Sequence, residues 1–291
     1  MSDITKKEIF NRATGLLVIE VINSNPNGDP DKESDPRQRN DQRGEISPVS
    51  FKRKLRDLID DKDGVVWKDI SQKLSINDGF NILESRGRDR NKISKMLKED
   101  PEKFKKEFWD ARIFGNTFLE EGSSTSIKTG VVQFGLGVSV APILIERLTT
   151  TNKSGVEEGK DRGMAPLSYR IVQHGIYCLP FFVNPSVALK TGCDKQDIDL
   201  LLKVIPFAYS STASYIRSQV PIIRAWYIEH KTPIGSCSDF DLINALTPNK
   251  LNDLEKPSTS RADYTIPTEK DVPEELRNKV LSIRDLMEEI Y

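Results

Sequence analysis

The stretch Gly15-Leu-Leu-Val-Ile-Glu-Val-Ile-Asn23 constrains the fold more than any other part of the chain. It is rich in Val, Ile and Leu, carries a single charge and stops at Asn-Ser-Asn-Pro, so it reads as a buried strand. A strand of this kind needs partners. Three later stretches supply them: Gly130–Val140, which holds three glycines and reads as a strand with a bulge or a close backbone approach, Ile171–Val183, and Val220–Tyr227. Between the strands lie two helical patterns. Ser47 stands where an N-cap would, Pro48 fits the first helical position, and Phe51, Leu55, Leu58 and Ile59 form one apolar stripe. Asp194–Val204 repeats the pattern through Ile198, Leu201 and Leu202. A further helical region spans Ile93–Phe108 and is broken at Pro101.

The order β-α-β-β-α-β predicts an α+β fold of the ferredoxin-like (RRM-like) class, an antiparallel sheet with both helices on one face. The chain then reads as a single domain over residues 1–291, with residues 63–116 and 146–168 as excursions and residues 250–291 as an acidic C-terminal segment. Residues 146–168 are polar and rich in Gly, Thr and Lys, which predicts a flexible hairpin or loop. Nucleic acid would meet the sheet's open face or the excursions.

Hydrophobic residues at 37% and charged residues at 30% suit a globular protein. The longest apolar run, Gly175–Val183, contains Pro180 and is too short to span a bilayer. Three cysteines without CxxC spacing fit a reducing compartment, and the charged N-terminus lacks the apolar core of a signal peptide, so a cytoplasmic protein without membrane contact is expected. Net charge is −1, yet charge is segregated. Arg37–Arg56 carries seven bases against two acids, whereas Leu251–Tyr291 carries ten acids against six bases. A local cationic field matters more than the total for a polyanion.

Chemistry concentrates in two places. The loop Asn25-Pro-Asn-Gly-Asp-Pro-Asp31 is a turn built by Pro26, Gly28 and Pro30, with Asn and Asp side chains bonding their own backbone. The Asn25 and Asn27 amides could also donate to phosphate or sugar. Alternatively Asp29, Asp31 and Asp35 could hold a divalent metal. Downstream, Arg37, Arg39 and Arg43 precede the basic helix Phe51-Lys-Arg-Lys-Leu-Arg56. Cations near a helix N-terminus oppose the helix dipole, which favours an external anion over a merely solvated face. Lys52, Arg53 and Arg56 cluster on one side and are candidate phosphate contacts. Arg86-Gly-Arg88-Asp-Arg90 is a second cationic stretch, equally suited to solvent or nucleic acid. Phe134 suits the core better than a stacking platform. His174 and His230 sit in strand-like surroundings and suit structural roles. No P-loop, GxSxG, GxGxxG or HExxH motif is present.

The ordered set Asn25–Asp31, Pro36-Arg37 and Phe51–Arg56, followed by Trp109-Asp-Ala-Arg-Ile-Phe-Gly115 and Val131-Val-Gln-Phe134, resembles the backbone subunit of type I CRISPR Cascade complexes, closest to the I-C and I-B branch of the RAMP superfamily. The likeness spans roughly Leu16 to Tyr227. Ser47-Pro-Val-Ser and the Val131-Val132 step depart from that family's usual residues. The resemblance implies an RRM-like core with a finger region (63–116) and a thumb hairpin (146–168). It implies a non-catalytic protein that polymerises along the spacer of a CRISPR RNA as a helical filament. That filament presents the guide for pairing with a target DNA strand, beside other Cascade subunits and without a cofactor. The RNA-binding residues implied are Asn25, Asn27, Arg37, Arg39, Lys52, Arg53, Arg56 and Gln133, with Met164 and Leu167 as apolar residues of the thumb. The same superfamily suggests a metal-dependent ribonuclease using the loop aspartates as an alternative. A sequence-blind guide holder requires contacts to phosphate and 2′-OH, which carry no base information.

Overall fold

The computed structural model describes residues 10–87, 89–115, 129–153 and 164–290. Eight strands form the main sheet: β1 (Ala13–Ser24), β2 (Arg43–Ile46), β3 (Val132–Phe134), β4 (Gly137–Pro142), β5 (Ile145–Lys153), β6 (Met164–Val183), β7 (Ile222–His230) and β8 (Val280–Asp285). The longer helices among the described residues are α1 (Pro48–Asp60), α2 (Val65–Lys73), α3 (Arg90–Glu99), α4 (Pro101–Glu107), α5 (Trp109–Phe114), α6 (Lys195–Val204) and α7 (Asp239–Leu246). The sheet order is β8-β7-β1-β6-β4-β2, with β3 and β5 also pairing to β6, and every pairing is antiparallel. Its central strands β7-β1-β6-β4, with α1 after β1 and α6 after β6, follow the α+β order expected of a β-α-β-β-α-β chain.

The helices form where the sequence places them. Ser47 caps α1 by accepting from Ser50 N at 3.2 Å, with Pro48 at the first position, and Phe51, Leu55, Leu58 and Ile59 are buried. Asp100 caps α4 ahead of Pro101, which separates α4 from α3. Asp194 and Asp197 make a reciprocal capping box on α6.

The free sheet face expected from the sequence is absent at β1. Alternate residues of β1 face opposite ways, and both sets are apolar. Leu17, Ile19 and Val21 join Tyr177, Leu179 and Phe181 against α1 and α6. Leu16 and Val18 join Ile176, Trp226 and Ile228 against Leu242, Leu246, Tyr264, Val272 and Val280. Helix α7 and the acidic C-terminal segment together therefore supply the second layer. A strand apolar at odd and even positions is covered on both sides, so β1 presents no open face to nucleic acid.

Of the hairpin and the loop expected for residues 146–168, the strand pairing matches the hairpin. β6 runs past the end of β1, whose pairing stops at Ser24↔Val172, and continues with β5 as a two-stranded ribbon from Ile145↔Val172 to Lys153↔Met164. Thr149, Thr150 and Thr151 are polar but β-branched, which favours a strand. The connection 154–163 lies outside the described residues.

Two polar clusters button the C-terminal layer to the sheet. Glu20 of β1 is paired with Arg261, and its Oε1 lies 3.3 Å from His174 Nε2, whose Nδ1 is 2.7 Å from Ser258 Oγ. Serine, histidine and carboxylate line up as in a hydrolase, but all three are buried and Tyr264 donates its hydroxyl to Ser258 Oγ at 2.8 Å. In the second cluster, Asp239 is paired with Arg12, accepts from Thr14 Oγ1 at 2.6 Å and lies 3.1 Å from His230 Nε2. His230 Nδ1 accepts from Ser236 N at 3.0 Å. Both histidines are thus structural, as their strand-like surroundings suggest.

Burial holds the His230 imidazole below its usual pKa, against the pull of Asp239. Burial also opposes charge on Asp239, but the hydrogen bonds from Arg12 and Thr14 outweigh it and hold that carboxyl below the ordinary range. With His230 depressed, the folded state binds fewer protons than the unfolded one as pH falls below about 6.5, so stability drops there. Asp239 adds a second loss as pH falls through the ordinary carboxylate range. Thermal melts between pH 7.5 and 5 should show a declining midpoint, and His230→Gln should flatten that first step.

Candidate nucleic-acid interface

The Asn25–Asp31 loop is rigid because its polar groups bond one another. Asn25 N donates to Ile216 O at 2.7 Å, its Nδ2 donates to Ser34 O at 2.8 Å, and its carbonyl accepts from Arg217 Nε at 2.8 Å. Asn27 Nδ2 donates to Gly28 O at 3.0 Å, and Asn27 Oδ1 accepts from Ser47 N at 2.7 Å, which ties the loop to the start of α1. Gly28 is required by a close approach, since a Cβ there would lie 2.9 Å from Ser34 O. Both asparagines are buried. Each amide therefore gives one of its two N–H groups to the loop itself, so both side chains shape the loop.

Asp29 and Asp35 stand opposite each other in a short antiparallel pair, but each has an arginine beside it. Asp29 accepts from Asp31 N at 3.2 Å and lies 3.8 Å from Arg37, whereas Asp35 is paired with Arg170 of β6. Among the described residues no three His, Cys, Asp or Glu side chains gather as a metal site would require.

The basic helix also differs from a cationic face open to solvent. Arg56 is 9% exposed and its Nε donates to Asp110 at 2.8 Å, beneath the Phe114 ring. Lys54 is buried over the Tyr209 ring and donates to Thr212 Oγ1 at 2.9 Å. Burial, helped by Arg217 and opposed by Asp57, lowers its amine to about 8. Lys52 is half-buried, 5.5 Å from the Phe114 centroid, and burial followed by Arg56 lowers its pKa. Arg53 Nη1 donates to Glu84 O at 2.6 Å and lies 3.7 Å from Asp57. Arg39 lies 3.7 Å from Asp41 and 3.9 Å from Glu45. Part of the surplus of bases is thus met by acids, with Arg56 paired to the distant Asp110 and Arg39 and Arg53 beside the nearby Asp41, Glu45 and Asp57. Arg56 is a fold-holding residue, not a surface cation.

Gln133 is exposed on β3, and its Nε2 donates to Gly130 O at 3.2 Å. Phe134 beside it is core, with ring centroids 5.2 Å from both Phe51 and Phe181. Met164 and Leu167 lie on the β5–β6 ribbon opposite Lys153 and Thr150, and their side chains fall outside the described part. Arg88 also lies outside it, while Arg86 pairs with Asp57 at 2.9 Å.

The Trp109–Gly115 segment acts as a clasp. Asp110 receives Arg56 and also accepts from Leu83 N at 2.7 Å and Glu84 N at 3.2 Å. Arg112 grips Asp197 of α6 at 2.7 Å and donates to Lys105 O, Lys106 O and Gly79 O at 3.0, 2.6 and 2.9 Å. Phe114 packs edge-on against Trp109, and Gly130 passes so close that a Cβ would fall 2.3 Å from Phe114 C. The segment holds α1, α6 and the 79–107 region together.

A comparison with known families decides what this frame belongs to: the family model for CRISPR-associated protein Cas7 matches residues 11–269. The chain belongs to the Cas7 family. Its clasp, its loop and every strand of the main sheet except β8 fall inside the matched region. Three solved structures are similar at a lower level. One, a "CRISPR RNA-guided surveillance complex, pre-nicking", is 14% identical with a TM-score of 0.47, covering 76% of this chain and 78% of that one. Another CRISPR RNA-guided surveillance complex is 15% identical at 0.40, covering 74% and 69%. A chain of the Type III-B Cmr-beta complex bound to cognate target RNA is 10% identical at 0.43, covering 75% and 61%. No curated protein matches. Among the described residues no helix is long and apolar enough to cross a membrane.

Proposed function

We propose that this Cas7-family chain is a non-catalytic CRISPR RNA-binding backbone subunit of a type I effector, of the I-C/I-B kind. Copies line up along the guide spacer in a helical filament, beside other Cascade subunits, and present the guide to a target DNA strand. The family match over residues 11–269 carries this reading. The β5–β6 ribbon is the thumb and residues 63–116 supply the finger. The groove runs from the Asn25–Asp31 loop past Arg37 and Arg39 to Lys52, Arg53 and Gln133. Asn25 and Asn27 shape that groove, and Arg56 positions Lys52 through Phe114. The surface ion pairs of Arg37, Arg39 and Arg53 are weak in water and exchange readily for phosphate. A metal-dependent ribonuclease is disfavoured because the loop aspartates do not form part of a group of three potential metal ligands among the described residues.

Binding of single-stranded RNA should weaken with salt, the log–log slope being about −0.7 per phosphate contact. Replacing Lys52 and Arg53 by glutamine should reduce the slope by about 1.4, if each meets one phosphate. An unchanged slope in the double variant would remove these residues from the interface.

A further inference from the structure

Asn27-Gly28 is the one Asn-Gly pair in the chain. Such a pair is chemically labile, because glycine has no side chain to screen its amide nitrogen from the carboxamide carbon of the asparagine before it. The fold requires this glycine nonetheless. A Cβ at position 28 would lie 2.9 Å from Ser34 O and 3.3 Å from Ser34 Cβ, so a bulkier residue cannot stand there to slow the chemistry.

The same loop restrains the asparagine. Asn27 is 8% exposed, and both polar atoms of its carboxamide are engaged, Oδ1 with Ser47 N at 2.7 Å and Nδ2 with Gly28 O at 3.0 Å. The backbone is held as well: Asn27 O accepts from Arg37 N at 3.0 Å, and Gly28 stands opposite Pro36 in the short antiparallel pair. Closing a ring between Gly28 N and Asn27 Cγ rotates both the carboxamide and the main chain, and these bonds resist that rotation.

We propose that Asn27 is a site of spontaneous deamidation, held in check by the folded loop. The Gly28 amide gives its proton to hydroxide, its nitrogen bonds to Asn27 Cγ, and Nδ2 leaves as ammonia, which closes a five-membered succinimide. Water then opens the ring at either carbonyl, giving aspartate or isoaspartate. In sum, one amide and one water become one carboxylate and one ammonium. Either product strains the loop. Aspartate sets a carboxylate oxygen against Gly28 O, where Nδ2 donated before. Isoaspartate also lengthens the main chain by one carbon, which shifts the register of Gly28↔Pro36 and Asp29↔Asp35 and loosens the tie between the loop and the start of α1.

The test uses the full chain in mildly alkaline buffer, folded or in urea, followed by peptide mapping. Mass spectrometry reads replacement of the carboxamide nitrogen by oxygen at residue 27, and a protein isoaspartate methyltransferase reports the second product. In urea the pair should convert steadily. The folded chain should convert about 10- to 100-fold more slowly, because two hydrogen bonds of the carboxamide must open first. Asn27→Asp, which copies one product, should melt at a lower temperature than the wild type. Equal or faster conversion in the folded chain overturns the proposal, and is the result expected if Ser47 N instead stabilised charge on Oδ1 during the attack. No conversion at residue 27 in urea overturns it too, a comparison that needs no variant to fold. An unchanged midpoint in Asn27→Asp would overturn the strain assigned to that product. No RNA enters the test, so its outcome is separate from that of the proposed function.

Discussion

Arg112→Ala is expected to lower the unfolding free energy by about 3–5 kcal/mol, the usual cost of stranding one half of a buried ion pair. Arg112 and Asp197 are both almost fully buried. The guanidinium bonds Asp197 through Nε at 3.0 Å and Nη2 at 2.7 Å while also satisfying three backbone carbonyls of residues 79, 105 and 106. Alanine would strand a carboxylate and three acceptors together. Burial already pushes the Asp197 carboxyl up against the pull of Arg112, so without the arginine it protonates more easily and part of the loss is recovered at lower pH. Arg112→Lys should remain damaging, because a single ammonium cannot reproduce the planar fork. Urea denaturation measures the effect. Pairing Arg112→Met with Asp197→Leu should restore some of the stability by removing the buried charge, though the three carbonyls stay unpaired. Arg56→Ala should behave in the same way through Asp110, and any loss of RNA binding in it should track loss of folded protein.

The other large effect is on the second sheet face. Deleting residues 238–290 removes α7, Tyr264, Val272 and β8, and leaves Leu16, Val18, Ile176, Trp226 and Ile228 facing water. A contiguous apolar surface of that kind drives aggregation. The truncated chain should fail to give a folded monomer by size exclusion and should bind a hydrophobic dye. Within the full chain, Leu242→Ala and Leu246→Ala should each cost about 2–5 kcal/mol, as buried leucines do. A truncated chain that stays monomeric and melts like the intact one would show that this layer is an accessory.

Much of the scaffold was legible along the chain. The apolar run of β1, the cap at Ser47 with its stripe through Phe51 and Ile59, and the break at Pro101 depend on near neighbours, which periodicity reports. What failed depends on distant ones. Asp110 is 54 residues from Arg56 and Asp197 is 85 from Arg112, so no local window could show that these bases and acids neutralise one another. The covered second face was signalled by apolar residues at odd and even positions of β1, but recognising the cover needed the folded position of a segment whose acidity suggested solvent.

The proposed function is tested most directly by the affinity of the purified full chain for two single-stranded RNAs of unrelated sequence, each titrated across salt concentration. A guide-holding subunit should bind both with nearly equal affinity and parallel negative slopes, because phosphate and ribose are the same in each. Strong preference for one sequence, salt-independent affinity, or no binding to either would contradict the account.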